Sequence, residues 1–219
     1  MTLKPVSTQD ADLVGDILGR AFVDDPVMNY IQPDLTFIPR YFKAVFIKYY
    51  ARYRMSWVTP AHSGAALWLP PGVSTRFPPI AFALAWVGRH LARENGVRMI
   101  LRADRLLRQV ERMRPVRTHY YLHGLGVVKE SQGRGIGSLL LRETLAVCDR
   151  EGRPAYLECS NERNLPLYER HGFRITGEYR LGPDAPMIWF MARDNKKGPG
   201  AVSGGRPDGC PGMVDEGRA

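Results

Sequence analysis

Residues Leu125–Leu140 read "LGVVKESQGRGIGSLL". Three glycines, Gly133, Gly135 and Gly137, sit at alternate positions. The apolar run "YLHGLGVV" precedes them and the helix-like run "SLLLRETLAVCDR" follows. A strand that turns on glycines into a helix is a socket for phosphate, because small residues let backbone N–H groups approach it and the helix presents its positive end. The first question is which phosphate compound the socket suits.

Two sockets fit poorly. A nucleoside triphosphate loop needs a Lys-Ser/Thr pair after its glycines, whereas Gly137 is followed by Ser138 and Leu139. A dinucleotide loop needs G-x-G-x-x-G. Gly133 and Gly135 supply two of its glycines, but Ser138 stands at the third, although Glu158 lies where the ribose-binding acid would be. The loop also begins past the middle of the chain, so too few βα units follow to build a doubly wound sheet.

A third socket accounts for more residues. Gln132, Gly135 and Gly137 fit Q/R-x-x-G-x-G/A, and downstream Leu167-Tyr168 is followed by three residues and then Gly172-Phe173. Both blocks resemble the GNAT superfamily of N-acetyltransferases, and "LECSNERNLPLYERHGF" is similar to the acetyltransferases that inactivate puromycin. The resemblance runs from about Tyr120 to Arg193; before that only the order of helices and strands agrees.

The resemblance implies acetyl-CoA as co-substrate, no metal, and a sheet splayed between the strands around 119–128 and 155–160. Leu125, Gly126 and Val127 would pair with the pantetheine arm as an added strand does. Gln132, Gly133, Arg134, Gly135, Ile136, Gly137 and Ser138 would cradle the pyrophosphate, and Asn161 or Asn164 would bond the arm. Lys129 and Glu130 depart from the family, which usually carries a proline there. Tyr168 is the expected acid for the leaving thiolate, since phenol and thiol pKa values lie close, at about 10 and 8.5. Glu158 is a candidate base, with Tyr120, Tyr121 and His123 as others. His119 and His123 share a strand face by parity. Cys148 and Cys159 have no histidine at a recognisable spacing, so a thiol nucleophile is discounted.

Bulk properties bound the rest. The chain has 219 residues, 44% of them hydrophobic, enough for a real core. Three cysteines at no metal-ligand spacing suit a reducing, cytoplasmic setting rather than a disulfide framework. No leader pattern or membrane-length apolar run is evident. The formal net charge is +9. Nine arginines between Arg89 and Arg117 stand against Glu94, Asp104 and Glu111. Their pattern with Leu101, Leu106, Leu107 and Val110 predicts an amphipathic helix with a solvated basic face rather than a nucleic-acid surface.

Periodicity predicts helices over "STQDADLVGDILGRAFVDDP", capped by Ser7 or Thr8, over "DLTFIPRYFKAVFIKYYARYR" from near Pro39, and over 79–113 with a break near Asn95-Gly96. Short strands are expected at "MSWVTP" and "GAALWLPPG", then "THYYLHGLGVV", "PAYLECS", "FRITGEYRL" and "PMIWFMAR", the last two as an antiparallel pair. A helix over 135–152 should end at Gly152, and a short one should hold Pro166 in its first turn. The fold class expected is α/β (α+β), a mixed, mostly antiparallel sheet flanked by helices. One acetyltransferase domain is expected over 1–194, with its acetyl-CoA core over 119–193. Residues 195–219, rich in Gly, Pro and Ser, read as a disordered tail.

Acceptor recognition is expected from the N-terminal half. Asp24 and Asp25 could attract a cationic amine, though a helix-end acidic pair is the plainer reading. Tyr30, Phe37, Tyr41, Phe42, Trp57 and Trp68 are shared between core and pocket. The expected activity is direct acetyl transfer to a primary amine of a small molecule, an aminonucleoside antibiotic being one candidate, by a monomer or homodimer without nucleic-acid or membrane partners. The alternatives are a non-catalytic acyl-CoA sensor and an enzyme acting on a protein amine.

Overall fold

The computed structural model describes residues 2–32, 34–73, 95–115, 117–180, 182–183 and 185–194. The expected tail and the first part of the 79–113 helix lie outside them. Seven strands form one sheet: β1 (Lys4–Pro5), β2 (Trp57–Val58), β3 (Gly64–Leu69), β4 (Tyr120–Val127), β5 (Ala155–Cys159), β6 (Arg174–Arg180) and β7 (Met187–Arg193). Their order is β1-β2-β3-β4-β5-β7-β6. Every neighbouring pair is antiparallel except β4 with β5. The mixed, mostly antiparallel architecture is the one expected. β1 carries no sequence signal and gains its place from pairing with β2.

The helices are α1 (Ala11–Ala21), α2 (Pro26–Ile31), α3 (Phe37–Val45), α4 (Asn95–Met113), α5 (Ile136–Glu151) and α6 (Leu165–Glu169). A parallel strand pair needs a crossover, and α5 supplies it between β4 and β5. It ends as expected, with Gly152 in the left-handed region at φ 65°. Three details differ from the sequence reading. α2 is a separate short helix, started by Asp25 as its cap and by Pro26 in its first turn. α3 begins at Phe37, not Pro39, and passes into a π-helical turn over Phe46–Tyr50. Leu101 on α4 is 63% exposed, outside the apolar stripe assigned to it.

The strands sort side chains by parity. Ala65, Leu67, Leu69, Tyr121 and Tyr156 face a core shared with α1 and α3, built on Ile17, Leu18, Phe42, Phe46 and Tyr50. Ala66, Trp68, Leu122 and Leu157 face a second core with Leu140, Leu141 and Leu145 of α5. Trp68 is therefore core, whereas Tyr41 and Phe42 reach a cavity. Gly126 lets α1 lie against β4: a Cβ there would stand 2.6 Å from that of Ala21 and 2.9 Å from Leu18.

The feature that positions the site is an interrupted ladder. β4 and β5 pair only at Tyr120–Ala155, Tyr121–Tyr156 and Leu122–Leu157. Beyond these residues the strands run on, to Val127 and Cys159, without pairing. β4 stays bound to β3 on its other side through Val127. Its edge towards β5 is thereby left open, as the resemblance implied.

Candidate functional site

Two cavities meet where β4 and β5 part. The first, of about 460 Å³, runs along the glycine loop. Gly135 caps α5 at φ 77°, a conformation L side chains rarely adopt, and a Cβ there would meet nothing within 4 Å. The N–H groups of Ile136, Gly137 and Ser138 occupy the first turn of α5, where no intrahelical carbonyl is available to them. Together with the helix dipole they form an anion socket. Gly137 also lies close to Leu167, whose Cδ2 would be 3.1 Å from an added Cβ, which keeps α5 against α6.

The other expected binding residues divide. Leu125, Gly126, Val127, Gly133, Asn161 and Asn164 line this groove. Gln132 lines it too, but its N–H is turned to Lys129 O at 3.3 Å. Its side chain donates to Val127 O at 3.0 Å. It thus shapes the loop and fastens it to the end of β4. Arg134 is exposed and is not part of the groove wall. The Asn161 side chain accepts from Arg163 N at 3.1 Å and caps the turn Glu162–Asn164. Asn164 borders both cavities.

Tyr168 stands at the junction and borders both cavities too. It is buried, with its ring 6.0 Å edge-on from Phe173. Burial, reinforced by Cys159 and Asp25, holds its phenol well above the ordinary value, so it keeps its proton at neutral pH. Cys148 and Cys159 are held as protonated thiols. Burial pushes Cys148 and Cys159 up to about 12. Cys159 Sγ also donates to Asn161 O at 3.1 Å.

The second cavity, of about 710 Å³, opens between the turn after α1, helices α2, α3 and α4, and the sheet. Its walls include Phe22, Met28, Phe42, Leu107, Val110 and Ile188. At its depth Glu158 accepts a hydrogen bond from Tyr121 OH at 2.7 Å. Desolvation raises the Glu158 carboxyl, while Arg114 and the hydroxyls of Tyr121 and Tyr156 oppose the rise. His123 lies between Tyr41 OH, at 3.2 Å from Nε2, and Tyr121 OH, at 3.4 Å from Nδ1. Burial and then Arg114 hold His123 down to about 4, so it is neutral at physiological pH. His119 instead packs on Tyr156, with ring centroids 5.2 Å apart.

Asp25 sits at a helix end, the plainer of its two readings, and both Asp24 and Asp25 border the groove. Asp25 accepts from Met28 N at 2.8 Å, capping α2, and from Ser160 Oγ. Asp24 forms an exposed pair with Lys129 at 3.4 Å.

The sequence reading missed Arg114. It belongs to the arginine-rich segment assigned to a solvated face, yet its side chain is only 15% exposed and lies 3.8 Å from Glu158. Its neighbours in "ERMRPVR" are equally basic, so only tertiary placement distinguishes it.

Among the described residues, no group of three His, Cys, Asp or Glu side chains is arranged to hold a metal ion. Nor is any helix there long and apolar enough to cross a membrane.

The splayed sheet, the glycine socket and the α5 crossover are those of the GNAT fold, and residues 79–173 match the family model described as Acetyltransferase (GNAT) family. The chain is thus similar to that family over residues 79–173. An uncharacterised N-acetyltransferase of Schizosaccharomyces pombe is 35% identical over 80 residues, covering 36% of this chain and 28% of that protein. The chain therefore matches little more than a quarter of the length of that relative. A solved structure described as histone acetyltransferase HPA2 and related acetyltransferase, from Corynebacterium glutamicum, is 22% identical with a TM-score of 0.63. That likeness covers 90% of this chain and 98% of the other. The polyamine N-acetyltransferase of Drosophila melanogaster, which forms N-acetylagmatine, is 13% identical with a TM-score of 0.59, covering 88% and 99%. These two structures share the fold.

Proposed function

We propose that this chain transfers an acetyl group from acetyl-CoA to a primary amine of a small molecule by direct attack within a ternary complex. The observation that carries this reading is the meeting of a polar anion groove and a largely apolar cavity at Tyr168, across the open edges of β4 and β5. A thioester whose pyrophosphate lies on the N–H groups of Ile136 to Ser138 would extend its arm along Leu125–Val127 to that junction, with Asn164 beside it. The amine would enter from the second cavity.

In this reading Glu158 takes a proton from the amine as its nitrogen attacks the thioester carbonyl. A backbone N–H of the open β4 edge bonds the oxyanion. The C–S bond breaks, and Tyr168 gives its hydroxyl proton to the departing sulfur. The burial that raises the phenol also raises a thiol buried beside it, as at Cys159, so both groups shift in the same direction. One domain carries the whole site, and the "LECSNERNLPLYERHGF" run makes aminonucleosides the first amines to try.

The test joins calorimetric titration with acetyl-CoA to thiol release over a panel of amines that includes aminonucleosides, aryl amines and diamines. Binding followed by amine-dependent thiol release is expected. Binding without release for any small amine would leave the acyl-CoA sensor or a protein acceptor instead. No binding of acetyl-CoA would sink the reading.

A further inference from the structure

Arg114 follows α4 and reaches the depth of the second cavity, where it touches two members of the site. Its guanidinium stands over the Tyr121 ring, 4.8 Å from the centroid. It also lies 3.8 Å from Glu158 Oε1. Tyr121 OH in turn donates to Glu158 Oε2, at 2.7 Å. The guanidinium is held from behind by Glu111, 3.6 Å away. Glu158 Oε1 accepts no hydrogen bond from any described residue. It is therefore a buried acceptor without a hydrogen-bond donor, and Arg114 stands beside that same oxygen.

We propose that Arg114 is a positioning residue for Glu158: carried in from the end of α4, it orients the Glu158 side chain in the splayed opening and keeps it a carboxylate against an apolar wall. The inference rests on the acetyl-transfer reading for its catalytic consequence, but not for the coupling itself.

The other groups facing Glu158 cannot substitute for it. Tyr121 on β4, Tyr156 on β5, Tyr41 on α3 and Tyr50 in the π-helical turn are all raised by burial and stay neutral. His123 is neutral for the opposite reason, its charged form being disfavoured by burial and by Arg114 itself. Among the described residues around Glu158, Arg114 thus supplies the countercharge. A buried carboxylate that loses its partner relieves its desolvation by taking up a proton. A base already protonated cannot accept a proton from the amine.

The experiment titrates Glu158 directly, by NMR of protein carrying ¹³C-carboxyl glutamate, with Glu158→Gln identifying the resonance. Arg114→Gln is expected to move the Glu158 midpoint upward by about one pH unit or more, a tenfold change in its proton affinity. The acidic limb of kcat/KM, measured with acetyl-CoA and phenethylamine, should move up with it, while the rate on the high-pH plateau changes less. Arg114→Lys, which keeps the charge on a shorter reach, should give an intermediate shift. An unmoved Glu158 midpoint in folded Arg114→Gln would overturn the inference. So would an unmoved midpoint in Arg114→Lys, should the glutamine variant fail to fold. A native protein that releases no thiol with any amine would count against the acetyl-transfer reading alone and leave the titration to decide the coupling.

Discussion

The two cavities that meet at Tyr168 are built in opposite ways. The polar groove takes about half of its wall from one continuous stretch, the end of β4, the glycine loop and the start of α5, and the rest from Arg20–Asp25 and from α6 with the turn before it. The apolar cavity gathers its wall from the turn after α1, from α2, α3, the distant α4, and strands β4, β5 and β7. A local turn can be encoded by a handful of residues whose backbone geometry is fixed by their type. A cavity assembled from remote helices is encoded only by packing. The difference predicts that substitutions should separate the two cavities kinetically, and that only residues at their junction should act on the chemical step.

Tyr168→Phe should have the largest effect. It removes one hydroxyl at the junction and leaves the ring in its contact with Phe173. Turnover should fall by about a hundredfold or more, the lower range for loss of a positioned acid. The dissociation constant for acetyl-CoA, read by calorimetry, should stay within about twofold of native. Unchanged turnover would remove Tyr168 from its role. A matching loss of acetyl-CoA affinity would mean that the junction belongs to the groove.

Gly135→Val comes next. A β-branched residue at φ 77° costs about 1–2 kcal/mol in a backbone conformation that L residues avoid. If the loop yields rather than the whole fold, acetyl-CoA affinity falls by roughly tenfold and the KM for the amine does not change. Leu107→Ala should do the reverse. It trims the wall of the second cavity, so the amine KM rises by roughly three- to tenfold, as expected for lost apolar contact, with acetyl-CoA affinity unmoved. Should either variant change both constants equally, the division into two sites fails.

The same contrast explains what could be read from the sequence. Gln132, Gly135 and Gly137 signal the groove because a close phosphate approach and a left-handed cap demand small residues at set spacing. Tyr168 was legible because it sits in a contiguous block with Gly172 and Phe173. The strand and helix order from Tyr120 to Arg193 was legible for a similar reason, since alternation and Gly152 mark its elements locally. α2 was not, since a six-residue helix has too little periodicity to show, and only Asp25-Pro26 mark its start. Arg114 was not, because an arginine on a solvated helix face and one folded under a sheet look alike in a basic segment. Likewise the sequence offered Asp25 as a helix-end acid, the plainer reading, or as a cation attractor, and only its partners, Met28 N and Ser160, show how it caps α2.

The smallest expected effect tests the boundary of the groove rather than its floor. Lys129 lies on the groove wall and pairs with Asp24 at 3.4 Å, with both side chains about three-quarters exposed. A pair so exposed contributes little to stability, because water and salt screen it and two long side chains lose freedom to form it. Its charge still stands near the anion socket. At physiological ionic strength screening acts over about 8 Å, so Lys129→Ala should weaken acetyl-CoA binding less than threefold. At about 0.01 M salt, where the screening length reaches about 30 Å, the native protein should bind tighter and the gap to the variant should widen. Calorimetric titrations at the two salt concentrations check this. A large, salt-independent loss would mean that Lys129 contacts the ligand directly and that the groove relies on a side-chain cation. A small, salt-sensitive loss would place the recognition of the phosphates on the backbone N–H groups of the Gly135 turn and the first turn of α5.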